Sequence, residues 1–225
     1  MKKKKILFFG KKNCKYIQKI LNYTKKKPIT LTFFNGQDKR HIPKRVLNWN
    51  GDYIFSFRSK IILNKKFLKK PKFMAINFHP GPPEFRGIGC ANFALLKNSK
   101  YYGSTAHVME AKVDSGPILD VKRFKILNMN LIKILEKSHY YNYLQFMKIF
   151  KKILKSDDKI NLLIKKSNKF KWSKKLYKKN DLEKLYNINK HFKNIKMINR
   201  VILSTYSRDY KPFIKINDKK FYIKK

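Results

Sequence analysis

The sequence predicts an α/β protein with a mostly parallel sheet flanked by helices, followed by a small C-terminal helix and β-hairpin module. First, short apolar runs alternate with polar stretches of helical periodicity through the first half of the chain, as in βαβ units. Second, a length of 225 residues suits one large domain, or a domain with a small appendage. Third, hydrophobic residues make up 43% of the chain and aromatic residues 15%, which is enough to bury a sizeable core.

The apolar runs predict the strands and helices in chain order. The predicted strands are Lys5–Phe9, Ile29–Phe34, Asp52–Phe57, Phe73–Phe78, Gly103–Met109 and Ile118–Phe124. The predicted helices are Asn13–Tyr23, Cys90–Lys97 and a long helix that begins at Asn130. In the long helix five apolar residues fall at helical offsets and predict a core-facing stripe: Tyr143, Phe146, Met147, Phe150 and Leu154.

The chain is predicted to divide into a larger domain, residues 1–155, and a small Lys-rich C-terminal module, residues 156–225. Within the module, the Lys- and Asn-rich composition of Asp157–Asn199 predicts some mobile stretches. The segment PFIKINDKKFYI alternates apolar and polar residues on both sides of Asn217–Asp218 and predicts a terminal β-hairpin.

The net charge of +43 has two interpretations. A strongly basic chain is typical of proteins that bind nucleic acid or anionic membranes. However, only 7 of the 56 basic residues are Arg, and Lys is abundant together with Asn, Ile, Phe and Tyr, the residues of A/T-rich codons. The charge is therefore interpreted as compositional bias spread over solvated faces. A positive protein nevertheless steers anionic small substrates towards itself.

The sequence predicts a cytoplasmic protein that does not bind a membrane. Its basic start is followed by only five apolar or Gly residues, whereas a signal peptide needs roughly 7–15. No run approaches the ~18 apolar residues that span a bilayer. Cys14 and Cys90 are far apart and lack metal-ligand spacing, which fits a reducing compartment and predicts no metal site.

The segment INFHPGPPEFRGIG, Ile76–Gly89, is the first candidate site, because it contains a His, three prolines and three glycines but no Lys. Asn77 and His79 project from one face of a predicted interior strand, and Pro80 ends that strand. Ligands of open α/β sheets bind at the carboxyl ends of strands. An amide and an imidazole together suit a carbonyl whose oxygen becomes negative during reaction. A structural histidine is the alternative for His79.

The second candidate is Asp114, in the predicted loop of the segment GSTAHVMEAKVDSGPILDVKRF. Asp-Ser-Gly is commonly only a turn, and that remains the alternative. Because the loop joins two predicted strands, Asp114 can lie over the sheet edge that carries His79. There it would orient the imidazole or accept a proton from an amine. His107 is a weaker candidate, since a strand histidine that faces the core is common.

Together these residues resemble the 10-formyltetrahydrofolate-dependent formyltransferases. The resemblance lies in Asn77-x-His79 and in the Asp114-x-Gly116 loop, and it is strongest over Asp52–Phe124. It implies a Rossmann-like catalytic domain and a catalytic triad of Asn77, His79 and Asp114. The family's formyl donor, 10-formyltetrahydrofolate, would lie along the exit of the third strand, which predicts four cofactor-binding residues: Arg58, Ser59, Lys60 and Ile61.

The segment GPPEFRGIGCANFAL is similar to enzymes that formylate nucleotide-linked amino sugars, and so are the C-terminal stretches WSKKLYKKNDLEKL and DYKPFIKINDKKFYI. The resemblance therefore implies an N-formyltransferase that acts on such a sugar. Substrate contacts are predicted on the rim formed by Pro82, Arg86 and Gly87. The apolar residues of the terminal hairpin need a partner surface. The resemblance implies that this surface is a second subunit, so a homodimer is expected.

Two alternatives remain open. One is formylation of another amine, that of methionyl-tRNA or of glycinamide ribonucleotide. The other is a basic nucleic-acid-binding protein on an inactive enzyme scaffold. Steeply salt-dependent binding to random DNA or RNA would favour the second, and saturable turnover of a nucleotide sugar would exclude it.

Overall fold

The computed structural model describes residues 3–37, 42–191, 194–207 and 211–224. The strands in these ranges are β1 Lys4–Gly10, β2 Ile29–Asn35, β3 Gly51–Phe57, β4 Pro71–His79, β5 Arg86–Gly87, β6 Tyr101–Val108, β7 Ile118–Lys125, β8 Leu176–Tyr177, β9 Phe213–Ile216 and β10 Lys219–Tyr222. The helices are α1 Lys15–Lys25, α2 Lys44–Leu47, α3 Lys65–Leu68, α4 Cys90–Leu96, α5 Leu131–Lys155, α6 Asp158–Lys166, α7 Lys179–Tyr186 and α8 Ile195–Thr205, with a 3₁₀ turn at Ile188–His191.

Six strands form the central sheet in the order β2-β1-β3-β4-β6-β7. β1 pairs in parallel with β2 and β3, and β3 pairs in parallel with β4. β6 runs antiparallel to both β4 and β7. The predicted mostly parallel sheet is confirmed, and β4 is an interior strand, as expected for the strand that carries Asn77 and His79.

Helix α5 packs one face of the sheet and fixes the end of β4. Its predicted apolar stripe is confirmed, because Phe146 and Phe150 are buried in the main core cluster and the other three residues pack against it. The Phe146 ring lies 5.3 Å from that of Phe78, centroid to centroid. One turn earlier, the Asn142 amide donates a hydrogen bond of 3.1 Å to the carbonyl of Phe78, next to His79. The opposite face is covered by a smaller apolar cluster that includes Phe9.

The described residues after 155 form several short helices that pack on the preceding part of the chain. Composition predicts mobile stretches in Asp157–Asn199. The described residues there include α6, β8, α7, the 3₁₀ turn and the start of α8. These helices form because their apolar side chains are buried. Leu185, Ile188 and Val201 share one cluster with residues of α4 and β6.

The predicted hairpin is also confirmed. β9 and β10 pair antiparallel around Asn217–Asp218, and these two residues have positive φ angles of 44° and 63°. Asn and Asp tolerate this left-handed conformation in tight hairpin turns. In the described ranges, none of the helices has the length and apolar character that a bilayer span requires.

Candidate active site

Asn77 and His79 lie at the end of β4, two residues apart and therefore on the same face. The His79 ring is buried, with 5% of the residue exposed. Its Nδ1 lies 3.4 Å from Oδ2 of Asp114, and its Nε2 lies 3.1 Å from the carbonyl oxygen of Phe85. Both ring nitrogens thus face oxygen acceptors. An imidazolium, which carries N–H on both nitrogens, satisfies both contacts, whereas a neutral ring satisfies one.

Asp114 lies in the loop between β6 and β7, and its carboxylate is shared by two imidazoles. Oδ2 is 3.4 Å from Nδ1 of His79, and Oδ1 is 3.4 Å from Nε2 of His107. Oδ2 also accepts a hydrogen bond of 2.9 Å from the backbone N–H of Gly87. The three residues predicted to be catalytic therefore meet in one cluster, and His107 completes it.

His107 lies between the Asn77 amide and the Asp114 carboxylate and contacts both. Its Nε2 is 3.2 Å from Nδ2 of Asn77, and its Nδ1 is 2.8 Å from the carbonyl oxygen of Val108. In a neutral ring Nε2 accepts from Asn77, and in a protonated ring it donates to Asp114. From sequence alone, His107 is a weaker candidate site residue than His79 or Asp114. Its importance follows from the antiparallel register that pairs it with Asn77, so that both side chains lie on one face.

The electrostatics of the cluster keep Asp114 ionised. Burial raises the pKa of its carboxyl group, but the His79 imidazole, the contacts with His107 and the Gly87 N–H lower it by more. The net pKa is well below the ordinary range of Asp, so the carboxylate is charged throughout neutral pH.

The thiol of Cys90 also belongs to this region, with Sγ 3.7 Å from Nε2 of His79. Burial, and then the charge of Asp114, raise the pKa of this thiol well above its ordinary value. Because the thiolate is the reactive form, Cys90 is not suited to act as a nucleophile here.

A cavity of about 460 Å³ opens beside the cluster and is lined by Asn77, His79, His107 and Asp114. The four predicted cofactor-binding residues line it as well: Arg58, Ser59, Lys60 and Ile61. Gly87 is the one predicted substrate-binding residue among the lining residues.

Cationic side chains from Lys11, Arg58 and Lys60 reach the same cavity, together with His139 of α5. Burial, and then the charges of Arg58 and Lys11, lower the pKa of His139 to about 3, so this imidazole is neutral at pH 7. The carboxylates that line the cavity are Glu110 and Asp114, and Asp114 is already engaged by the two imidazoles. The described lining therefore favours anionic ligands.

The other two predicted substrate-binding residues, Pro82 and Arg86, are buried and lie outside the cavity lining. The guanidinium of Arg86 donates to the carbonyl oxygens of Val113 at 2.6 Å and Ser173 at 3.3 Å. Of the predicted rim residues, Gly87 therefore lines the cavity directly, whereas Arg86 lies behind the lining and binds backbone carbonyls there.

Gly87→Ala is expected to destabilise the rim strongly. Gly87 has a φ of 95°, and a Cβ there would lie 2.1 Å from the carbonyl oxygen of Tyr177, across the β5–β8 pair. Backbone strain alone costs about 1–3 kcal/mol at such a position. Urea unfolding should show at least this loss for Gly87→Ala, whereas Ile88→Ala, at a 49% exposed neighbour, should change stability little. Equal stability of both variants would contradict the requirement for glycine at position 87.

Fold and site together define an α/β protein with an acid–base cluster at the carboxyl end of an interior strand. Residues 33–141 match the family model described as formyl transferase. The methionyl-tRNA formyltransferase of Clostridium tetani is 31% identical over 91 residues, which are 40% of this chain and 29% of that relative. The chain thus spans under a third of the length of this curated relative.

Two solved structures share the fold over almost the whole chain. A 4-N formyltransferase from Francisella tularensis has a TM-score of 0.77 at 19% identity, covering 98% of this chain and 96% of that one. The N-formyltransferase of Helicobacter canadensis, in complex with folinic acid and dTDP-3-aminofucose, has a TM-score of 0.65 at 19% identity, covering 96% and 85%.

These findings confirm the resemblance to the folate-dependent formyltransferase family that Asn77, His79 and Asp114 predicted. Residues 33–141 match the formyl transferase family model, and the fold of the two formyltransferase structures extends over almost the whole chain.

Proposed function

We propose that this protein transfers a formyl group from 10-formyltetrahydrofolate to the amine of a nucleotide-linked amino sugar. The observation that carries the proposal is the Asp114 carboxylate held 3.4 Å from both His79 and His107, with the Asn77 amide beside them, at the wall of a cavity. This arrangement offers hydrogen-bond donors, a proton carrier and a fixed negative charge to one reacting centre.

Residues 58–63, which follow β3, line the cavity with apolar and cationic side chains that suit a folate. Ile61, Ile62 and Leu63 line the cavity, and Ile62 is 72% exposed although it is apolar. An aromatic ring would cover such a surface. Arg58 and Lys60 add positive charge that suits the carboxylates of a folate. When bound, the folate supplies a formyl carbon that an amine can attack.

In this proposal Asn77 and His79 stabilise negative charge on the formyl oxygen. The Asn77 Nδ2 carries two hydrogens, of which one faces Nε2 of His107. The second is available to a carbonyl oxygen in the cavity. His79 is the second donor in this proposal: its Nδ1 is held by Asp114, and its Nε2–H would turn from the Phe85 carbonyl, 3.1 Å away, towards the formyl oxygen. The ring also relays the proton that the attacking amine loses. Such preorganised donors contribute most where water is excluded, as in a buried cluster.

We infer that Asp114 assists deprotonation of the amine mainly through the imidazoles. Its low pKa makes the carboxylate a weak proton acceptor by itself. The same negative charge stabilises a proton on His79 or His107. The carboxylate therefore orients both rings and supports the positive charge that forms when the amine loses its proton.

One observation favours the nucleotide-linked amino sugar over other amines. The structural similarity to the Helicobacter canadensis N-formyltransferase, whose complex holds dTDP-3-aminofucose, covers 96% of this chain. The positive lining of the cavity suits a phosphate-bearing substrate of any of these classes. We propose that the protein acts as a homodimer that buries the exposed apolar side chains of the terminal hairpin, Ile216 and Phe221 among them.

The test is turnover with 10-formyltetrahydrofolate and a panel of dTDP-, UDP- and GDP-linked amino sugars. Methionyl-tRNA and glycinamide ribonucleotide serve as competing acceptors. Saturable formylation of one sugar, well above the rate with the other acceptors, is the expected result. Formylation of methionyl-tRNA or glycinamide ribonucleotide alone would replace the sugar assignment. Absence of all turnover, with steeply salt-dependent binding to random RNA, would overturn the enzyme proposal.

A further inference from the structure

Arg86 is a buried cation whose hydrogen bonds are made inside the protein. It is 5% exposed, its Nη2 donates to the carbonyl of Val113 at 2.6 Å, and its Nη1 donates to the carbonyl of Ser173 at 3.3 Å. Val113 directly precedes Asp114, whereas Ser173 belongs to the C-terminal module. One side chain thus ties the loop that carries the carboxylate to a distant segment. The planar fork of Arg can hold both carbonyls in a fixed geometry, which the single ammonium of Lys cannot do.

Trp172 holds the same loop from its other side. The indole Nε1 donates a hydrogen bond of 2.8 Å to the carbonyl of Gly116. Its ring stands edge-on to both imidazoles, with centroid distances of 5.0 Å to His107 and 6.1 Å to His79. The guanidinium carbon of Arg86 lies 5.9 Å from the indole centroid. The indole therefore contacts the loop, both imidazoles and the buried cation at once.

The segment that carries Trp172 is itself attached to the rim. The Ser173 N–H donates to the carbonyl of Pro83 at 3.0 Å, and β8 pairs in parallel with β5 through Arg86 and Leu176. Asp114 lies between the carbonyls of Val113 and Gly116, which Arg86 and Trp172 hold, and has a φ of 47°. Asp adopts this left-handed conformation more readily than most non-glycine residues.

We propose that Arg86 and Trp172 are positioning residues for Asp114, and that residues 172–177 of the C-terminal module are thereby part of the active site. The inference rests on the proposed function, which gives the Asp114 carboxylate its role. Arg86 and Trp172 hold the carbonyls on either side of Asp114, at Val113 and Gly116, and so set the distance of its carboxylate from the two imidazoles. This assigns Arg86 a role other than the substrate contact that the sequence suggested.

The test compares Trp172→Phe, which keeps an aromatic ring but loses the N–H, with Arg86→Lys, which keeps the charge but loses the fork. Matched controls are Trp49→Phe, in the separate core cluster around Phe9, and Arg123→Lys, in a surface pair with Glu84. Trp172→Ala removes the whole side chain and serves as the more severe variant.

The first measurement is the pH titration of the Asp114 carboxyl carbon by ¹³C NMR, which needs no substrate. The charged and titratable groups that face this carboxylate are His79, His107, Cys90 and, through Val113, Arg86. When the loop loosens, the favourable contacts with the imidazoles weaken while burial persists, so protonation of Asp114 should begin at a higher pH in Trp172→Phe and Arg86→Lys. The wild-type carboxylate should stay ionised down to the acid limit of folding. The two controls should titrate like the wild type.

The second measurement is formyl transfer. We expect kcat to fall about tenfold in Trp172→Phe and Arg86→Lys and about 10²-fold in Trp172→Ala, the effect of a small misplacement of a catalytic group. KM for both substrates should stay within about twofold of wild type.

A wild-type carboxyl titration in folded Trp172→Phe and Arg86→Lys would overturn the proposal, and so would equal effects in the control variants. A change in thermal unfolding without a change in titration or kcat would show a purely structural role and would also overturn it. If no acceptor is formylated, the proposed function fails, whereas the NMR titration still decides the role of Arg86 and Trp172.

Discussion

Asp114→Asn is expected to lower kcat by at least about 10²-fold, the lower end for lost acid–base assistance. The replacement is nearly isosteric. Its Oδ1 can still accept from Gly87, and its Nδ2 can donate to His107, so the loop should keep its conformation. Only the negative charge that supports the imidazoles disappears. Folate and sugar binding should therefore be largely retained, as measured by KM in steady-state kinetics.

The loss in Asp114→Asn should be of similar size at pH 6 and at pH 8. The pKa of this carboxyl group lies well below its ordinary range, so the wild-type residue is ionised across the whole interval. Ser115→Ala is the control and should turn over like the wild type, because the half-buried Ser115 hydroxyl donates to the Lys112 carbonyl and not to the imidazoles. Wild-type activity in Asp114→Asn would mean that Asp114 is only a turn residue, and the proposed mechanism would fail.

His79→Ala is expected to fold and to bind folate while kcat falls by roughly 10²–10⁴, the range for loss of one acid–base or oxyanion-stabilising group. Truncation removes both ring contacts, to Asp114 at 3.4 Å and to the Phe85 carbonyl at 3.1 Å. His107→Ala leaves His79 in place and should lower kcat by a smaller factor than His79→Ala. The measurement is single-turnover formyl transfer, with thermal unfolding and folate titration to establish that the variants are intact.

Partial recovery of turnover by added imidazole in His79→Ala would support a direct role of the ring. By contrast, near-normal turnover without imidazole would remove His79 from the mechanism and would leave Asn77 as the sole donor from β4.

Local sequence patterns were sufficient to predict the sheet and half of the site. Strands such as β1 and β3 are short apolar runs bounded by polar residues, a pattern set by burial on both faces. The period of two along a strand placed Asn77 and His79 on one face, and Pro80 marked its end. These are short-range properties that a single sequence displays directly.

The remainder of the site depends on pairings between distant residues, which no local pattern specifies. His107 joins the cluster because β6 runs antiparallel to β4 in one particular register. Arg86 was predicted on the rim from its neighbours, but its partners Val113 and Ser173 are known only from the folded chain. Trp172 lies in a Lys-rich stretch where composition predicted mobility, and its contacts with two imidazoles follow from tertiary packing.

The parallel pairing of Arg86 in β5 with Leu176 in β8 bears on the order of events during protein synthesis. A nascent chain emerges from its N-terminus, and the central sheet can form once β7 has left the ribosome. The rim strand β5, however, can pair only after Tyr177 has emerged, because β8 is its partner strand. We therefore expect the central sheet to form before the site is complete, with the Asp114 carboxylate the last part of the site to be fixed.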